Sequence, residues 1–178
     1  MTKLDEISLA IGEMRSDIRN GFQASEDRHK DLEAKIDSHL RDAKEKYKKI
    51  VDSEVRFELV DTDDAEYLIV AYGLVARIAQ RAVELARAGG IRVGLLRPIT
   101  LFPFPYAAVR DLTQKVQGIL VVEMNAGQMV EDVRLGVEGR VPVSFHGRMG
   151  GIIPSPEEVV QALDRMVKKD VVQNSEAY

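Results

Sequence analysis

From about residue 52 onward, short apolar runs alternate with longer segments whose apolar residues recur at helical spacing, and this restricts the fold more than any other feature of the sequence. Segments 67–72, 91–96 and 119–124 are short and almost uniformly apolar, the mark of strands buried on both faces. Segment 55–60 alternates apolar with polar residues and reads as a half-exposed edge strand, open to antiparallel pairing; 141–145 reads as a fifth strand. Between them, 74–88, 105–116 and 128–136 carry apolar helical faces. A last helix is expected over 156–167, with Ser155 as N-cap and Pro156 at its first position. Alternating strands and helices predict an α/β class domain with three α/β/α layers and a mostly parallel five-stranded sheet joined by right-handed crossovers.

The first fifty residues differ in kind. They hold eleven Lys/Arg, eleven Asp/Glu, no proline and two glycines. Leu4, Ile7, Ile11, Met14 and Ile18 recur at alternating three- and four-residue steps, and Phe22 then follows four residues after Ile18. The seam resumes as Ser25, His29, Leu32, Ile36, His39, Ala43, Tyr47 and Ile50. This repeat with charged flanks predicts a long coiled-coil helix over 1–51 that self-associates, because a helix polar on most faces buries too little alone. The two seam histidines read as register-setting polar positions rather than a pH switch. Residues 52–170 form the α/β domain in this reading, and 171–178 a polar tail.

Composition removes several function classes. A net charge of −4 without a basic stripe argues against nucleic acid as partner. With no cysteine, the chain cannot form a disulfide, a thiolate zinc site or a cysteine-ligated iron–sulfur cluster. No charged-then-apolar leader opens the chain, and no apolar run reaches the roughly 18 residues of a membrane span. A cytosolic home without membrane contact is expected.

In an open α/β sheet, ligands and partners dock where strands give way to loops at the carboxyl edge, and four junctions there draw notice. Gly73 sits between a strand and a helix, but no second glycine or lysine follows in phosphate-loop spacing, so a structural turn is the plainer account. The stretch 97–105 places Arg97, Thr100, Phe102 and Phe104 on a loop stiffened by three prolines; the rings pack on the domain's own helices or on a partner. Glu123, Asn125 and Gln128 bring a carboxylate and two amides to the third junction, to position a ligand or to satisfy backbone groups. Glu131 and Asp132 read as solvated first-turn acids. In the last junction, Arg148 offers a guanidinium to a carboxylate or phosphate, while His146 has no partner at metal-ligand spacing. No nucleophile, base and acid can be assembled, so no catalytic or metal-binding residue is expected.

Four stretches, 70–73, 94–105, 122–129 and 145–148, occur together in an order and spacing that resemble the carboxyl-terminal part of the alpha subunit of 2-oxoacid:ferredoxin oxidoreductases, most of all the branched-chain and 2-oxoglutarate types. The resemblance covers about residues 54–165. It implies a domain like the carboxyl-terminal domain of transketolase, in agreement with the strand count above. It also implies a complex that decarboxylates a 2-oxoacid on thiamine diphosphate, sends electrons through iron–sulfur clusters to ferredoxin and passes the acyl group to coenzyme A. Sequence matching the family's large amino-terminal domain, its thiamine diphosphate motif and its cluster cysteines is not found in this chain. The expectation is therefore a non-catalytic domain or subunit that binds none of these cofactors by itself, assembles with the other subunits, and homo-oligomerises through residues 1–50. Gly73, Arg97, Thr100, Phe102, Glu123, Asn125, Gln128 and Arg148 are its expected contacts to a partner or to coenzyme A. A standalone oligomeric scaffold or regulator is one alternative. A small-ligand or nucleotide-binding module using Gly73 and the Gly150-Gly151 loop is another.

Overall fold

The computed structural model of the chain describes residues 3–175, with side chains from 11 to 168. The seam side chains of Leu4 and Ile7, and residues 176–178 of the expected tail, lie outside the described residues. The chain divides into two compact units, 1–50 and 51–178.

The first unit belongs to α1 (Lys3–Glu54), a helix of 52 residues that passes unbroken through the change of step at Phe22. Nothing lies within 4 Å of where a side chain would stand on Gly12 or Gly21. These glycines therefore cost only helix propensity, about 1 kcal/mol each relative to alanine. Side-chain pairs one turn apart brace the surface, Asp31 with Lys35 at 2.7 Å and His29 with Glu33 at 3.3 Å. Ile11, Met14, Ile18, Phe22, Leu32 and Ile36 are all exposed, Phe22 by 71%.

The second unit runs β1 (Phe57–Val60), β2 (Tyr67–Val70), α2 (Gly73–Ala88), β3 (Val93–Pro98), α3 (Tyr106–Leu112), β4 (Gly118–Glu123), α4 (Met129–Val137), β5 (Val143–Gly147) and α5 (Pro156–Ser175). The strands form one five-stranded sheet in the order β1-β3-β2-β4-β5. β1 is antiparallel to β3, and every other pairing is parallel. The two-residue period of a strand explains the two cores. Ile69, Leu95, Leu120 and Val122 face α2 and α5, where Val83 and Leu163 meet them. Leu68, Val70, Ile119 and Val121 face α3 and α4, against Val109 and Val133. Burying each such Leu, Ile or Val contributes about 1.5–3 kcal/mol.

Several boundaries differ from the sequence reading, each for a local reason. α3 stops at Leu112, where Thr113 Oγ1 donates back to the Arg110 carbonyl at 2.6 Å. α4 ends when Glu138 turns into the left-handed region at φ 53°. β5 is shifted toward the carboxyl terminus, because Pro142 has no amide to donate and enters the sheet only as acceptor from Ile119, at 3.0 Å. The shift moves His146 out of the loop and onto the strand, paired with Val122. α5 runs on to Ser175, into the segment read as a tail.

Candidate functional site

The strand order reverses around β2. The chain leaves it for β3 on one side and returns to β4 on the other, which makes the carboxyl ends of β2 and β4 the natural crevice of the sheet. Gly73 opens α2 there at φ 57° and supplies the left-handed turn that a side chain would strain. Tyr72 precedes it in extended conformation and sends its hydroxyl to Asn125, whose Nδ2 donates to it at 3.4 Å.

Glu123, the last residue of β4, organises the junction and is 0% exposed. Its Oε2 accepts from Asn125 Nδ2 at 3.0 Å, from the Gln128 amide at 3.3 Å and from the Met129 amide at 2.9 Å. Its Oε1 accepts from the Val130 amide at 2.9 Å. One buried side chain thereby caps the first turn of α4, where donors have no partner within the helix. Asn125 Oδ1 closes the loop by accepting from Gly127 N at 2.7 Å, and Gly127 sits at φ 102°. β5 is tied in through the Arg148 amide, which donates to the Glu123 carbonyl at 3.1 Å. Of the two uses the sequence left open for this carboxylate and its amides, the backbone takes Glu123 and Asn125. Gln128 contributes its amide, and its side chain stays exposed.

Arg97 and Thr100 lie on the other side of β2 and serve β1. Arg97 Nη1 meets Glu58 Oε2 at 2.8 Å across the antiparallel pair. Thr100 Oγ1 accepts from Arg56 N at 3.0 Å and donates to the Pro103 carbonyl at 3.2 Å. The two loop phenylalanines part ways. Phe104 is 4% exposed and packs edge-on against Tyr106 at 5.1 Å between centroids, whereas Phe102, on a cis bond to Pro103, is 74% exposed. Ile99 and Leu101 beside it are also exposed.

Arg148 turns away from the Glu123 knot. Its Nη2 reaches Glu158 Oε1 at 2.6 Å. Glu158 is half of a capping box: Ser155 N donates to its Oε2 at 3.1 Å, and its own amide donates to Ser155 Oγ at 3.2 Å. The Ser155 amide, then Arg148, hold the Glu158 carboxyl below its usual range. Ser155 thus caps α5 in the way its position before Pro156 foretells. Two residues gain roles that the sequence reading did not assign. Tyr72 had a legible signal, a hydroxyl-bearing ring directly before the turn glycine. Asp132 is a first-turn acid of α4, as expected, and also accepts from Tyr106 Oη at 2.5 Å. That bond, with burial and the Asp132 charge, pushes the Tyr106 hydroxyl up to about 12.

The arrangement can hold loops rigidly and present a surface. Its one buried acid is already saturated by backbone donors. No group of three His, Cys, Asp or Glu residues able to hold a metal occurs among the described residues. No helix among them is long and apolar enough to cross a membrane.

Comparison with known proteins adds identity to this geometry. Residues 65–159, which span Gly73 to Arg148 and so all four loop junctions at the sheet edge, match the family model described as pyruvate:ferredoxin oxidoreductase core domain II. The ketoisovalerate oxidoreductase subunit VorB of Methanothermobacter thermautotrophicus is 48% identical over 119 residues, 67% of this chain and 34% of that subunit. The 2-oxoglutarate synthase subunit KorA of the same organism is 38% identical over 114 residues, covering 64% of this chain and 30% of its own length. The chain therefore spans about a third of the length of these relatives. Among solved structures, 2-oxoglutarate:ferredoxin oxidoreductase from Magnetococcus marinus superposes with a TM-score of 0.58 at 21% identity, over 70% of this chain and 21% of that one. A split-gene transketolase gives a TM-score of 0.54 at 19% identity, over 62% of this chain and 40% of that one. Both likenesses concern the fold.

Proposed function

The chain belongs to the pyruvate:ferredoxin oxidoreductase core domain II family, and from that premise we propose that it is a non-catalytic domain or subunit of a thiamine diphosphate-dependent 2-oxoacid:ferredoxin oxidoreductase. Its work in the assembled complex is to hold neighbouring subunits in register and to lend loops to the edge of an active site that they build. The observation that supports this most is the state of Glu123. The acid best placed for chemistry at the switch point is consumed in capping α4, while Ile99, Leu101 and Phe102, on the loop that follows β3, are exposed and offer a contact surface.

The described residues fit neither an iron–sulfur cluster nor a magnesium-bound diphosphate at the switch point. An iron–sulfur cluster needs thiolates, which the chain does not contain. A magnesium-bound diphosphate needs free carboxylate and amide oxygens, and those of Glu123 and Asn125 already accept backbone amides. Thiamine diphosphate and the clusters are therefore assigned to the assembled complex, in which coenzyme A also acts. A direct coenzyme A contact through Arg97, Arg148 or the exposed loops is the finer version, and thermal shift tests it; no shift at millimolar coenzyme A removes it.

Affinity purification of tagged chain from its own cells decides the main reading. Recovery of a partner carrying thiamine diphosphate and iron–sulfur absorption is expected. Recovery of the chain alone, from cells expressing such a partner, overturns it. A scaffold that keeps the fold without the complex is then the better account, favoured by the exposed apolar stripe of α1, a device for association that lies outside the matched residues.

A further inference from the structure

The two positions of β5 that face α5 are Ser144 and His146, opposite Leu120 and Val122 of β4. An edge strand packed for stability alone would place apolar side chains there, as β4 does. Instead a cleft of about 130 Å³ opens between β5 and α5, with Ser144, His146 and Arg165 as its polar lining over a floor of Leu120, Ala162 and Met166. By the same measure a single water takes roughly 10–15 Å³, so the cleft admits a group of several heavy atoms.

The charges around it are one-sided. The buried Nε2 of His146 has no hydrogen-bond partner among the described residues, and neither has the buried Nε of Arg148. Arg165 pairs with no carboxylate among them, and the nearby acid, Glu158, is already engaged by Arg148 and by the Ser155 amide. The environment withholds a proton from His146, through burial first and then the charges of Arg148 and Arg165, with Glu158 opposing. A second acceptor-rich group would reverse that balance.

We propose that the cleft between β5 and α5 binds a small oxyanion, the carboxylate or phosphate head of a ligand, between the His146 ring and the Arg165 guanidinium, with the Ser144 hydroxyl as a further donor. A delocalised anion would neutralise an arginine that has no carboxylate partner among the described residues, beside the partly buried His146 ring that lines the same cleft. The site is independent of the enzyme-subunit reading, since it uses no residue assigned to subunit contact.

The three histidines make the test direct, because His29 and His39 on α1 serve as internal references. Full chain with isotope-labelled histidine is followed by NMR as chloride is replaced by inorganic phosphate, or by acetate, at constant ionic strength. The expected result is a saturable shift of the His146 ring signals with a raised titration midpoint, while His29 and His39 stay still. Arg165→Gln, an exposed change on α5 that should leave the fold intact, is expected to weaken binding roughly tenfold. Response to phosphate alone identifies a phosphate head, response to acetate alone a carboxylate, and response to both a general oxyanion site. No saturable His146 shift at roughly 50 mM of either anion, an equal shift in Arg165→Gln, or joint movement of all three histidines overturns the proposal.

Discussion

At the scale of single residues, the acid at the end of β4 has the most to lose. Glu123→Gln keeps the shape but offers one oxygen where two accept, and it aims an amide group at backbone amides. Leaving buried donors unmatched costs about 1–3 kcal/mol each. Denaturant unfolding is expected to show a loss of about 2–4 kcal/mol, and an unchanged midpoint would refute the capping role. Tyr106 gives a prediction in pH. Its folded value of about 12 lies above the ordinary 10, so the folded state keeps this proton longer than the unfolded state does. The stabilisation is complete below pH 10 and disappears as pH rises from 10 toward 12. The difference in stability between wild type and Tyr106→Phe should shrink across that window, and a constant difference would contradict the assignment. Sequence reading named Glu123 and Asn125 but could not choose between ligand and backbone as their client. The choice rests on which amides the turn at Gly127 brings within reach, and nothing in the spacing of the acids encodes that.

Among the elements, legibility follows burial. β2, β3 and β4 are covered on both faces and advertise themselves as apolar runs. β5 is partly exposed on both, so its boundaries hang on the missing amide of Pro142, and the sequence reading placed it too early. The closeness of the β1–β2 turn to β3 had no signal except a glycine. A methyl group on Gly94 would stand 2.8 Å from the Asp61 carbonyl and 2.9 Å from Thr62 Cγ2. Gly94→Ala must push that turn off the sheet and is expected to cost about 1–3 kcal/mol, checked by thermal unfolding. Ser155→Ala removes one half of the α5 capping box and should cost about 1 kcal/mol. Its effect should be non-additive with Glu158→Gln in a double-mutant cycle, since the two substitutions each remove or weaken one of the paired bonds that close the same turn.

For the whole molecule, α1 carries the prediction. A row of exposed Ile, Met, Phe and Leu side chains along a helix of 52 residues is a hydrophobic stripe without a core, and such stripes find partners. Light scattering of the full chain is expected to give a mass above that of one copy, falling to a single copy when residues 1–50 are deleted. A monomeric full chain would end the coiled-coil reading. The α/β unit was readable at this scale because four separated blocks kept their order, a pattern no single loop could carry. The use of α1 was not, because heptads announce that a helix associates but leave its partner unnamed. The saturation of Glu123 bears on the history of the fold as well as on its stability. In sheets of this architecture the switch point is the usual place for new chemistry to arise. Here that place is filled from within by the chain's own side chain, as if by a permanently attached ligand. A descendant that gained an activity at this edge would first have to let go of the helix that Glu123 anchors, so at this one position innovation and foldability are opposed.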